Sequence, residues 1–261
     1  MGAHLPVAEL PLTLRRARPY ESAGYRAITT TRHGRDTGEH RQHRARAART
    51  APSTPPGPQR WFFDLWSRVY DFPLVQVATY RPVHNAVVRA LRDAPCRRVL
   101  DIGCGTGQLT ARLGDALPKA RVIGCDFSAG MLRQAAARGA RSTWVRGDAG
   151  CLPFQSATFD AIVSTEAFHW FPDQDRALAE FRRVLAPGGR LLLALVNTPT
   201  PVVSDLFYAG SRLVGEPFYW PTMRQMRDKV AAAGFRVEGQ DRIFRVPGFL
   251  IPPVLTRAVR P

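Results

Sequence analysis

The sequence predicts a doubly wound α/β fold, a mostly parallel sheet with helices on both faces. Three observations point to it. Short apolar runs alternate with stretches of helical periodicity from residue 97 to 196, and parallel strands need helical crossovers of that kind. Runs such as 191–196 are apolar throughout, as strands covered on both faces are. A turn of sequence Gly103-Cys104-Gly105-Thr106-Gly107 joins one such run to a helical stretch, the junction where open parallel sheets bind ligands.

The elements follow in order. Residues 61–70 place aromatics at helical spacing, and 82–91 put Val83, Val87 and Leu91 on one helix face. A strand over 97–102 leads into a helix over 107–117, stopped by Pro118. A strand over 120–125 precedes a helix that Ser128 caps and that runs to about Arg138. Residues 142–146 and 159–164 are short strands, and 174–185 is a helix ended by Pro187-Gly188-Gly189. After a strand over 190–196 comes an aromatic-rich insertion, 197–221, suited either to wall an acceptor pocket or to pack in the core. Thr222 then caps a helix to Ala233, and 235–246 reads as strand.

Composition divides the chain. Residues 1–60 hold eleven arginines against four acids and end in the Pro-rich stretch Ala51-Pro52-Ser53-Thr54-Pro55-Pro56-Gly57-Pro58. Such a stretch buries too little apolar surface to offset its ordering entropy, so 1–60 is expected to be a disordered extension. It is as Arg-rich and acid-poor as an organellar transit peptide, a reading weighed against a dispensable extension. The globular unit is expected over 61–261: lid helices in 61–96, a ligand-binding core in 97–196, the insertion 197–221, and a C-terminal helix and strands in 222–261. The whole chain carries a net charge of +16 from 37 basic and 21 acidic residues. That invites a nucleic-acid reading, yet the arginines of the globular part are scattered. Cys96, Cys104, Cys125 and Cys151 form no C-x-x-C pair, which argues against a disulfide framework or a metal site and for a cytoplasmic protein. No run has the ~18 apolar residues of a membrane span.

The chemistry lies at predicted strand ends. The turn after the first strand reads D-x-G-x-G-x-G, with Asp101 two residues before Gly103 and with Gly105 and Gly107 following. A dinucleotide fingerprint needs glycine where Gln108 stands. Asp101 would repel a pyrophosphate but can hold a cationic amine. Asp126 ends the second strand, where an acid accepts from both hydroxyls of a ribose. Phe127 can lie on a flat base, and Met131 is a core residue that could touch the same base. After the third strand, Asp148 can accept from an exocyclic amine while the N–H of Ala149 donates to a ring nitrogen.

These segments resemble the class I S-adenosylmethionine-dependent methyltransferases, in their small-molecule type 11 branch. Residues 99–107 resemble that family's first motif, 122–132 its ribose segment, 147–154 its adenine loop, 159–164 its fourth strand and 185–191 the approach to its fifth. Tyr80-Arg81-Pro82 resembles the segment that lids the methionine end of the cofactor. The resemblance implies a seven-stranded Rossmann-like sheet and S-adenosylmethionine as cofactor. It places Asp101, Gly103 and Gly105 around the methionyl group, Asp126 on the ribose, Asp148 and Ala149 on adenine, and Tyr80 or Arg81 at the carboxylate.

Methyl transfer is an in-line displacement, so the protein supplies alignment and exclusion of water; no metal is expected. His169 and Glu166, after the fourth strand, are the candidate catalytic residues. An imidazole with a pKa near ~6.5 suits general-base work, but His169 could equally position the acceptor or pack among Phe168, Trp170 and Phe171. Glu166 can meet cofactor or acceptor. A small-molecule acceptor is expected. A nucleic-acid substrate is disfavoured because Ser164-Thr165-Glu166-Ala167 stands where adenine-methylating enzymes carry Asn/Asp-Pro-Pro-aromatic, and no cysteine follows Cys151. The remaining alternative is a non-catalytic cofactor-binding relative.

Overall fold

The computed structural model describes residues 80–92, 94–138, 141–213, 218–243 and 252–261. The expected extension 1–60 and the aromatic helix 61–70 lie outside them. Helix α1 (Arg81–Arg92) precedes the alternating units β1 (Arg98–Ile102), α2 (Gln108–Ala116), β2 (Arg121–Asp126), α3 (Ala129–Ala137), β3 (Thr143–Arg146) and β4 (Phe159–Thr165). A single 3-10 turn, Phe168–Trp170, leads to α4 (Gln174–Val184), β5 (Leu185–Val196), α5 (Pro201–Leu213), α6 (Met223–Ala232), β6 (Arg236–Arg242) and β7 (Pro253–Val259).

The seven strands form one sheet in the order β3-β2-β1-β4-β5-β7-β6. β3, β2, β1, β4 and β5 are parallel, and β7 is antiparallel to both β5 and β6. This is the mixed sheet that the sequence predicts. The order reverses between β1 and β4, so the ligand-binding crevice is expected beyond the carboxyl end of β1.

Period-two alternation sends successive strand residues to opposite faces. Val99, Val122, Ala161, Val163 and Leu192 pack under α1 and α2 with Val83, Val87, Leu91, Leu109 and Leu113. Leu100, Ile102, Ile123, Ile162 and Leu191 face the other way, against Phe154, Leu178, Phe181, Met226 and Val230. Asp101 therefore shares the face of Val99 and points toward α1 and α2.

Three elements depart from expectation. β5 begins at Leu185, directly after α4: Phe159 pairs with Leu185 and Ala161 with Arg190, so Ala186-Pro187-Gly188-Gly189 bulges out between them. The expected strand 235–246 ends at Arg242. The insertion contains the helix α5, which turns Ser204 and Ser211 inward while Val202 is 76% and Leu206 72% exposed. Val202 and Leu206 thus stay out of the core. α6 starts as predicted, with Thr222 and Gln225 forming a reciprocal capping box.

Candidate active site

The carboxyl ends of β3, β2, β1 and β4 bring Asp148, Asp126, Asp101 and Glu166 to one edge of the sheet. The turn after β1 holds three left-handed glycines, but their missing side chains face different things. A Cβ on Gly107 would lie 2.3 Å from the Trp144 ring, and one on Gly103 would lie 2.4 Å from Ala167 Cβ. Packing explains both. The N–H of Gly107 is also committed, to the carbonyl of Cys104 at 2.9 Å. At Gly105 the nearest atom is Met131 Sδ, 4.0 Å away, so this is the glycine whose face is open to a ligand.

Asp126 is buried at the rim of that opening. Its Oδ2 accepts from the Gly105 N–H at 2.9 Å and its Oδ1 from the Ser128 N–H at 2.8 Å. A carboxylate has about four lone-pair sites, so it can still accept from a diol beside these bonds and the smaller contribution of the Phe127 N–H. Burial raises the pKa of Asp126, against the backbone hydrogen bonds that lower it. Asp101 is buried too and accepts from Thr110 Oγ1 at 2.6 Å. Burial, with a smaller contribution from the charge of Asp126, raises its pKa to about 7. Two buried carboxyls whose pKa values rise together mark a site short of positive charge, one prepared for a cation. Cys104 and Cys125, beside them, are held as thiols by burial.

A small polar cleft opens at Asp101 and Gly103, lined also by His84, Thr106, Gln108 and Thr165. His84, to which no role was assigned from the sequence, is buried in α1 and faces this cleft. The signal was present, because His84 heads the stripe His84, Val87, Val88, Leu91 at the i, i+3, i+4, i+7 spacing of a buried face. Tyr80 lies one turn earlier, its ring 6.3 Å from that of His84. Arg81 is exposed and near Arg112, whose pKa is lowered by burial and secondarily by the charge of Arg81. Phe127 is half-buried at the tip of β2 and Met131 is buried behind Gly105.

Beyond β3, Asp148 is exposed and its Oδ1 accepts from the Gly150 N–H at 2.8 Å. Beyond β4, Glu166 has a left-handed backbone at φ 52°, a conformation that costs a non-glycine residue about 1 kcal/mol. Its N–H donates to the Ala194 carbonyl at 2.7 Å, which ties the strained turn to β5 and presses Ala167 onto Gly103. His169 is buried, with ring centroids 5.2 Å from Trp170 and 5.3 Å from Trp220. Its Nδ1 has no hydrogen-bond partner among the described residues, and burial lowers its pKa to about 3. Trp170, Phe207 and Phe218 complete the aromatic cluster, at 5.1 Å for Trp170–Phe218 and 5.4 Å for Phe207–Trp220.

These residues fit the cofactor that the sequence resemblance implies. S-Adenosylmethionine carries an ammonium group, a sulfonium, a ribose diol and an adenine. The buried carboxyls of Asp101 and Asp126 match the first and third, and the open face of Gly105 gives the backbone approach between them.

Comparison with known proteins agrees. The family described as "Methyltransferase domain" matches residues 99–189. A demethylmenaquinone methyltransferase of Thermus thermophilus is 39% identical over 150 residues, 56% of this chain and 66% of that protein. A malonyl-[acyl-carrier protein] O-methyltransferase of Hahella chejuensis is 36% identical over 122 residues, 46% of this chain and 44% of that protein. The chain thus spans 44% to 66% of the length of these curated relatives. In fold, it is similar to a chain of the complex between the Haloferax volcanii Trm112 methyltransferase activator and a methyltransferase, with TM-score 0.64, 22% identity, and coverage of 80% and 100% of the two chains. A SAM-dependent methyltransferase of Thermotoga maritima gives TM-score 0.60 at 24% identity, with coverage of 76% and 98%. Because the matched stretch holds the glycine turn and the acids after β1, β2 and β3, and the sheet around it has this strand order, the chain belongs to the class I S-adenosylmethionine-dependent methyltransferases.

Proposed function

We propose that the protein transfers a methyl group to a small-molecule acceptor with an apolar or aromatic body. The observation that carries this reading is the aromatic wall formed by Trp170, Phe207, Phe218 and Trp220 around His169, in the segment that follows Glu166. Such a wall supplies apolar contact area and ring stacking; a phosphate-bearing chain would call for a cationic groove instead. Relatives named for demethylmenaquinone, for malonyl-[acyl-carrier protein] and for trans-aconitate share the cofactor half. The wall favours the flat, apolar kind of acceptor among these. Among the described residues no helix is long and apolar enough to cross a membrane.

When bound, S-adenosylmethionine supplies an electrophilic methyl group on its sulfonium. In this reading Asp101 holds the ammonium, Asp126 the ribose, and Asp148 with the Ala149 N–H the adenine. Tyr80 and Arg81, at the head of α1, meet the carboxylate end. Glu166 orients the acceptor from its strained turn. His169, with a pKa near 3, stays neutral and is a weak base, so it orients the acceptor rather than removing its proton.

Labelled cofactor offered with hydroquinones, phenols, acyl-carrier protein and RNA tests the reading. Label is expected on the aromatic small molecules, and label on RNA alone would overturn it. His169→Phe separates orientation from base catalysis. The substitution removes an unpaired buried nitrogen, which costs about 1–3 kcal/mol, so the unfolding midpoint should hold or rise. Turnover should fall while its pH profile keeps its shape between pH 5 and 8. A lost inflection near pH 6–7 in the variant would show that His169 acts as the base.

A further inference from the structure

α4 carries a polar row besides its apolar stripe. Arg176, Glu180 and Arg183 stand at i, i+4 and i+7, and the row grips the backbone of the loop over 147–154. Arg176 Nε donates to the Gly150 carbonyl at 2.8 Å. Glu180 Oε2 accepts from the Leu152 N–H at 2.7 Å. Arg183 donates to the carbonyls of Leu152 at 3.0 Å and Phe154 at 2.7 Å, and closes a fork on Glu180 at 2.6 and 2.7 Å. Four backbone groups of one loop thus end on three side chains of one helix. An exposed ion pair contributes little. This one is half-buried and fixed by its carbonyl and N–H partners, the geometry in which a guanidinium fork gives direction as well as strength.

We propose that Arg176, Glu180 and Arg183 are positioning residues that hold the base-reading segment Asp148-Ala149 in place, so that α4 sets how strictly the cofactor's base is recognised. This rests on the reading that Asp148 and Ala149 meet the adenine. The N–H of Gly147 donates to the Asp126 carbonyl, the loop's own bonds take those of Gly150 and Cys151, and Glu180 takes that of Leu152. The N–H of Ala149 has no partner among the described residues. Asp148 keeps Oδ2 while its Oδ1 serves Gly150. An acceptor next to a donor matches the 6-amino group and N1 of adenine. A 6-oxo base presents the opposite pattern, an acceptor and an N–H. Hydrogen bonds weaken steeply with misalignment, so this discrimination depends on how firmly the segment is held from below.

The test compares, by calorimetry on the full chain, the affinities for S-adenosylhomocysteine and for its inosine counterpart. The two ligands share the ribose and the amino acid, so their ratio isolates the base. The wild-type protein is expected to prefer the adenine ligand. Glu180→Gln and Arg183→Lys should each cut that preference about tenfold. Arg176→Ala, at the exposed end of the row, should cut it less and serves if the paired variants do not fold. An unchanged ratio in variants that bind S-adenosylhomocysteine overturns the positioning role. A wild-type protein that binds neither ligand overturns the cofactor reading beneath it, and equal wild-type binding of both overturns the assignment of Asp148 and Ala149.

Discussion

Replacing Asp126 with alanine is expected to weaken binding of S-adenosylhomocysteine about 100-fold. A buried carboxylate that accepts from both ribose hydroxyls makes two charge-assisted hydrogen bonds, each contributing about 1.5–3 kcal/mol, and ~3 kcal/mol corresponds to a factor of roughly 100. The change in stability should be much smaller, because two effects oppose. Removal strands the N–H groups of Gly105 and Ser128, which both donate to Asp126. It also relieves the burial of a charge, the main cause of its raised pKa. Asp126→Asn separates the two effects. The amide still accepts from one N–H, so the glycine turn should keep its shape, while the diol loses the charge on its partner and affinity falls about tenfold. Affinity unchanged in both variants would remove Asp126 from the ribose site.

The position of Asp126 was legible because a parallel strand delivers its last residue to the ligand-binding edge. Asp101, Asp126 and Asp148 could each be placed from the apolar run before it, and the structure sets all three at the carboxyl ends of the adjacent strands β1, β2 and β3. Charged rows were not legible in the same way. Arg176, Glu180 and Arg183 have the spacing of an ordinary solvated helix face, and no periodicity tells a row that meets water from one that meets a loop. The glycine turn was half legible. Its sequence shows that the backbone must bend, whereas the partners of Gly103 and Gly107 are Ala167 and Trp144, both distant in sequence. α5 inverts the pattern on which helix reading depends, with Ser204 and Ser211 inward and Val202 and Leu206 outward. The left-handed backbone of Glu166 carries no sequence mark, since glutamate seldom adopts it.

Cofactor affinity should climb with pH and level off near neutrality, and Asp101 should be the cause. Its pKa of about 7 in the folded protein lies well above the ordinary 3.8, chiefly through burial. Below about pH 4 the group is protonated whether the chain is folded or not. Between about pH 4 and 7 the unfolded chain has ionised it and the folded one has not. The folded state therefore binds more protons there, and the stability this group confers at low pH is lost as pH rises through that window. A bound ammonium reverses the preference, because it favours the ionised carboxylate. Binding must then release a proton below about pH 7, so affinity should rise by up to tenfold per pH unit until the free carboxyl is already ionised. Asp101→Asn should abolish both slopes. The amide still accepts from Thr110, so the variant should match the wild type in stability near pH 4 and exceed it near pH 8. Its affinity for S-adenosylhomocysteine at pH 8 should fall about tenfold or more and show no pH dependence over this range. Calorimetry and thermal unfolding across pH 5 to 8 measure both. A variant that loses affinity without gaining stability would show that the carboxyl is stabilised in the folded protein before the cofactor arrives, whereas opposite shifts in the two quantities mean that the fold bears the cost of an ion that only the cofactor neutralises.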